Sequence, residues 1–205
     1  STICCSPRGS LHSVVRYFYF LLATFFIAGC GAPAHFHATD LTGSSIGVDF
    51  ALEDQNGKQR RLSDFKGKVA IVFFGYTQCP DVCPTTLSAL QETQKLLGKK
   101  ADQVQVLFIT LDPERDTVAL LAQYVPSFNP SFLGLRGSTA ETEAVAKAFK
   151  VFYKKQEGSI PESYSIDHST GSYVYDPAGR LRLYLKYGES PQHIAEDISQ
   201  LIAGK

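Results

Sequence analysis

The sequence predicts an α/β domain built on a mixed β-sheet flanked by helices, and three observations carry that reading. Two continuous apolar runs, Val69 to Gly75 and Val104 to Leu111, have the length and composition of strands buried on both faces. Segments with helical spacing follow each of them, so strands and helices alternate along the chain. The C-terminal part then breaks that alternation with two short strands around a turn, which requires an antiparallel pair.

The elements follow in order from Ile46, where the domain is expected to begin. VDFALEDQNGKQRRLSDFKGK reads as an N-terminal hairpin extension turning at Gln55-Asn56-Gly57-Lys58, because Asn-Gly readily adopts the positive φ angles of a tight turn. The Val69–Gly75 strand ends in FFGYTQCPDVCPTTL, and from Pro84 to Leu97 the spacing of Leu87, Leu90 and Leu97 with Ala89 predicts an amphipathic helix stopped by Gly98. After the second buried strand come a helix from Thr117 to Tyr124, a short strand from Phe132 to Leu135 and a helix from Thr139 to Phe149. Ser172–Asp176 and Leu181–Tyr187 flank Asp-Pro-Ala-Gly-Arg as a hairpin, and Ser190-Pro191 supply a cap and first-turn proline for a closing helix, Gln192–Ile202.

With 205 residues, 44% of them apolar, the chain holds enough material for one sizeable core. Its 20 basic residues balance 20 acidic ones and form no basic stripe, which excludes nucleic acid as the partner. The N-terminus has the pattern of an export signal: Arg8 and Arg16, an apolar core from Tyr17 to Ile27, and the small residues Ala28-Gly29 before Cys30. That core falls well short of the roughly 20 residues needed to span a bilayer. Ile27-Ala28-Gly29-Cys30 resembles a bacterial lipobox, whose chemistry acylates Cys30; the plainer reading is an ordinary secretory peptide. Residues 1–29 are thus expected to be a signal peptide of lipoprotein type. Residues 30–45, small and polar, are the expected flexible tether, and residues 46–205 the folded domain of an exported, membrane-anchored lipoprotein facing the periplasm or extracytoplasmic space. His35 and His37 fall in the tether, where histidines are more often solvated than functional.

Cys4 and Cys5 leave with such a signal and Cys30 carries the lipid, so Cys79 and Cys83 are the thiols left to the domain. In an oxidising compartment two thiols this close act together, as a disulfide or as metal ligands. A disulfide closing so short a loop would add little stability, which favours function over a staple. Cys79 should sit past the C-terminal end of a strand and Cys83 at a helix start, where the helix dipole and unpaired N–H groups favour thiolate. His168 is the candidate third ligand. A lone histidine is usually a surface or satisfied residue, but two thiolates with one imidazole suit copper in either oxidation state.

Three motifs in this order, GKVAIVFFGYTQCPDVCPTTL, ITLDPERDT and IDHSTGSYVYDPAGRL, resemble the Sco/SenC family over residues 46–203. The resemblance implies a thioredoxin-like fold, copper as Cu(I) or Cu(II), and Cys79, Cys83 and His168 as its ligands. It places Asp112 at an acidic position near the site; Asp167, beside His168, is a further candidate for orienting the imidazole, although adjacent side chains rarely face each other. The implied function is delivery of copper to the binuclear copper site of cytochrome c oxidase. The implied partners are its copper-bearing subunit and another periplasmic copper chaperone or thiol reductant. The same dithiol also suits a thiol-disulfide reductase serving the partner's cysteines, or a redox or copper sensor. A thiol peroxidase fits less well, because Thr77 stands only two residues before Cys79.

Overall fold

The Val69–Gly75 strand is buried at every residue and forms the centre of the sheet. The computed structural model describes residues 35–47, 49–160 and 163–205. In chain order its elements are β1 (Thr39–Asp40), β2 (Ala51–Asp54), β3 (Gln59–Arg61), β4 (Val69–Gly75), α1 (Val82–Leu97), β5 (Val104–Thr110), α2 (Val118–Phe128), β6 (Leu133–Arg136), α3 (Thr139–Ala148), β7 (Tyr153–Glu157), β8 (Tyr164–His168), β9 (Ser172–Tyr175), β10 (Leu181–Leu185) and α4 (Pro191–Ile202). Eight strands make one sheet in the order β1-β10-β9-β4-β5-β6-β2-β3. Strands β4, β5 and β6 run parallel, while β9 lies antiparallel to β4 and β2 antiparallel to β6, so the sheet is mixed as expected.

Alternation along β4 divides the core in two. Val69, Ile71 and Phe73 face α1, α2 and α4 through Leu87, Leu90, Leu121, Val125, Ile194 and Ile198. Ala70, Val72 and Phe74 face the other way, toward α3 and Phe149. Phe73, Phe74 and Phe108 are each at most 1% exposed, and full burial of a side chain this size is worth about 1.5–3 kcal/mol.

The hairpin expected near the N-terminus forms as β2–β3, with Gly57 at φ 77° in the turn and the buried Asp54 carboxylate accepting from Asn56 N, Lys58 N and Arg60 Nε. It is the edge of the main sheet through β2–β6 pairing rather than a separate appendage.

Three expectations are corrected, and one element was missed. Residues 35–45, expected within the flexible tether, are bound to the domain: β1 pairs with β10, and His37 N and Ala38 N donate to the buried Asp197 carboxylate at 3.0 and 2.8 Å. The fold therefore includes residues before Ile46. Helix α1 begins at Val82 rather than Pro84, which puts Cys83 inside its first turn. Helix α2 continues past Tyr124 to Phe128 despite Pro126, because Val125 is fully buried and Tyr124 and Phe128 pack on the core. The β7–β8 pair, a two-stranded sheet of its own, was not legible, since nearly all of β7 is exposed and polar and carries no apolar alternation. The signal, Cys30 and residues 31–34 lie outside the described residues.

Candidate metal centre

The two cysteines sit where β4 passes into α1. Beyond Gly75 the chain turns, with Cys79 N donating to Tyr76 O at 3.2 Å. The turn is secured from the side by Asp116, fully buried, whose carboxylate accepts from Thr77 N at 3.0 Å, from Thr77 Oγ1 and from Thr110 Oγ1. Burial pushes the Asp116 carboxyl up, against the pull of those three donors. Cys83 is 0% exposed and belongs to the apolar core, whereas Cys79 is half-buried and packs at the margin of that core. Gly75 permits this packing: a Cβ there would lie 2.7 Å from Cys83 Sγ and 2.9 Å from Phe108 Cε2.

This asymmetry sets the protonation of the pair. Cys79 is pulled down to about 5, first by the Cys83 thiol donating to it and then by the backbone N–H groups of Cys83 and Asp81, with burial opposing. Cys83 N lies 3.4 Å from Cys79 Sγ, the geometry of a first-turn amide serving an anion. Cys83 is pushed up by the same thiol hydrogen bond and by its burial. Near neutral pH the reduced pair therefore holds one proton, on Cys83, and presents a thiolate at Cys79.

His168 arrives from far along the chain as the last residue of β8. Its Nε2 lies 3.6 Å from Cys83 Sγ, and its Nδ1 lies 2.8 Å from Ser169 O. A carbonyl only accepts, so Nδ1 carries a proton, and Nε2 is the ring nitrogen turned toward the sulfurs. The rings of Phe73 and Tyr76 meet the imidazole edge-on, at 6.5 and 5.9 Å between centroids. The two sulfurs and one imidazole nitrogen all lie within 4.8 Å of one another. Bonds of about 2.3 Å to sulfur and 2.0 Å to nitrogen place ligands of a three-coordinate ion roughly 4 Å apart, so small side-chain adjustments close the set. Two soft donors with one imidazole fit copper.

The outlying candidates divide. Asp112, 1% exposed, is not a ligand; it accepts from Tyr164 Oη at 2.7 Å and from Arg115 Nε, and so ties β8 to the loop after β5. Asp167 does not orient His168. It is exposed on the other face of β8, where Gln156 Nε2 donates to it at 2.7 Å, because consecutive strand residues point to opposite faces. His35 is exposed, and His37 stacks on His193 at 4.1 Å and pairs with Glu196, away from the cysteines. Reading the sequence missed Tyr76, Arg115, Asp116 and Tyr164. Two of these lie within the singled-out stretch ITLDPERDT, where an arginine three residues and a second carboxylate four residues after Asp112 were the available signal.

Known proteins resemble this chain in sequence and in fold. The SCO1/SenC family model matches residues 38–203. An SCO2-like protein of Rickettsia felis is 38% identical over 152 residues, 74% of this chain and 74% of its own length. Among solved structures, Bradyrhizobium japonicum ScoI with copper bound has a TM-score of 0.71 and 40% identity, covering 76% of this chain and 99% of that one. Yeast Sco1 with copper bound has a TM-score of 0.72 and 33% identity, covering 78% of this chain and 90% of that one.

Proposed function

The chain belongs to the SCO1/SenC family, and on that premise we propose that it is a copper metallochaperone, holding its cargo through Cys79, Cys83 and His168 and delivering it to the binuclear copper site of cytochrome c oxidase. The observation that carries the reading is the approach of His168 Nε2 to 3.6 Å from Cys83 Sγ across 85 positions of sequence. Relatives solved with copper bound support the choice of metal, and the Sco family is linked to oxidase assembly.

Three protein ligands leave a coordination position open to a partner's thiolate. Cys79 is half-exposed and Cys83 buried, so an incoming thiolate displaces Cys79 and His168 first, and the ion passes by ligand exchange without release to water. Acylation of Cys30 would hold the protein at the membrane surface beside its target. No helix among the described residues is long and apolar enough to cross a membrane.

Titration of the reduced protein with copper against a competing chelator tests the reading. One copper per chain is expected, and His168→Ala is expected to weaken binding about 100-fold or more, beyond what loss of an outer partner costs. Unchanged affinity in His168→Ala would overturn it.

A second reading is favoured by one observation, the low-pKa Cys79 backed by a buried, protonated Cys83. As a dithiol reductase, Cys79 thiolate attacks a partner disulfide and expels one partner thiolate. Cys83 then loses its proton and attacks Cys79 Sγ, releasing the second partner thiol and leaving a Cys79–Cys83 disulfide that has taken no metal. His168→Ala discriminates the two: it weakens copper binding but leaves dithiol exchange nearly unchanged.

A further inference from the structure

We infer that Arg115 is the positioning residue of the metal centre, joining the strand that carries His168 to the loop that carries Cys79; the inference rests on the copper-binding reading above. Strands β7 and β8 form a two-stranded sheet outside the main one, and such a pair has little stability of its own. Most of its residues are exposed, so its placement beside the cysteine loop depends on a few specific contacts. Arg115 supplies the most connected of them.

Its side chain is only 17% exposed, and its donors go to three separate segments. Nε donates to Asp112 Oδ2 in the loop after β5. Nη1 donates to Tyr164 O at 2.9 Å, at the start of β8, and to Gln78 Oε1 at 3.1 Å, the residue before Cys79. The guanidinium also lies 3.5 Å from the centroid of the Tyr164 ring, whose hydroxyl donates back to Asp112 at 2.7 Å, closing a ring of Asp112, Arg115 and Tyr164. Farther along β8, Ile166 N donates to Tyr76 Oη at 3.2 Å, and beyond its end Ser169 N donates to Phe152 O at 2.9 Å.

Arg115 does not touch the ligand atoms, and its charge is compensated by Asp112, so it is not an anion site. Its planar fork, with donors in fixed directions and a face for the tyrosine ring, allows one side chain to hold two segments in register. A lysine keeps the charge but offers neither the fork nor the stacking face. The function assigned to Arg115 is thus to fix the position of His168 relative to the dithiol before the metal arrives.

The test uses reduced protein carrying Arg115→Ala, Arg115→Lys, His168→Ala and the double change Arg115→Ala/His168→Ala, with copper(I) affinity read by chelator competition and amide hydrogen exchange read on the metal-free protein. Arg115→Ala is expected to weaken copper binding about 10- to 100-fold, as loss of an outer partner does. The Ile166 and His168 amides should exchange at least about tenfold faster while those of β4 and β5 stay unchanged. In the His168→Ala background, Arg115→Ala should cost less than about twofold more, because the imidazole through which it acts is gone. Equal losses in both backgrounds would make Arg115 a general structural residue and overturn the inference, as would wild-type affinity in Arg115→Ala. Arg115→Lys decides the matter where the alanine variant does not fold; wild-type affinity and exchange there overturn the inference equally. Should His168→Ala itself bind copper like the wild type, the copper reading fails, and accelerated β8 exchange in Arg115→Ala still reports separately on positioning.

Discussion

Cys83 and His168 approach within 3.6 Å of each other, yet they are held by opposite kinds of structure. Cys83 is fixed by density: it is 0% exposed, in the first turn of a helix, against Phe108 and a strand that must present glycine. His168 is fixed by directed bonds, on a half-exposed strand pinned by Tyr76, Arg115 and Ser169. Close packing leaves the sulfur no room to move, whereas a set of hydrogen bonds, each worth about 1 kcal/mol, opens piecemeal. The centre therefore has a rigid half, set by packing, and an adjustable half, set by hydrogen bonds.

The largest expected effect is on the rigid half. Cys83→Ala should abolish measurable copper binding while the fold survives, since removing one buried sulfur costs only about 1 kcal/mol in the cavity left behind. Retention of copper within tenfold of wild type would mean that the packed sulfur is not a ligand. Next comes the contrast between the two thiols. Alkylation of the reduced protein should modify Cys79 alone, with a midpoint near pH 5, far below an ordinary cysteine near 8.5. A midpoint above 8, or equal labelling of Cys83, would remove the contrast. The sign for stability follows: the folded pKa of Cys79 is depressed, so its contribution is present above about pH 8.5 and is lost as pH falls through about 5, and the reduced protein should melt lower at pH 5 than at pH 8.

Gly75→Ala sharpens the packing side. A Cβ 2.7 Å from Cys83 Sγ, with Phe108 behind it, should destabilise the protein by about 1–3 kcal/mol, read as a drop of several degrees in Tm. An unchanged Tm would show that the rigid half has slack. The smallest effect belongs to the adjustable half: Asp167→Asn should change copper affinity by less than about twofold, because its carboxylate meets Gln156 and not His168. A tenfold loss there would restore it as an orienting residue.

Much of this was legible without coordinates. Val69–Gly75 is continuous and apolar, Gln55–Lys58 contains an Asn-Gly turn, and Ser190-Pro191 is a cap signal, so β4, the β2–β3 hairpin and α4 were readable from local chemistry. The dithiol was readable for the same reason, since four positions of spacing at a strand end place two sulfurs together whatever the rest of the chain does. The hairpin β7–β8 and the bound segment 35–45 were not, because polar exposed strands carry no periodic apolar pattern and their anchoring groups lie up to 165 positions away.

By itself, then, the sequence determined the sheet's central strands, the paired thiols at a helix start and the choice of soft donors, all consequences of neighbouring residues. Only the tertiary structure decided that His168 meets those thiols, that Asp112 serves the hairpin and not the metal, that Asp116 secures the cysteine turn, and that Arg115 joins the two halves. Those contacts join segments whose separation along the chain leaves no local trace, and they exist only once the core has brought their backbones within hydrogen-bond reach.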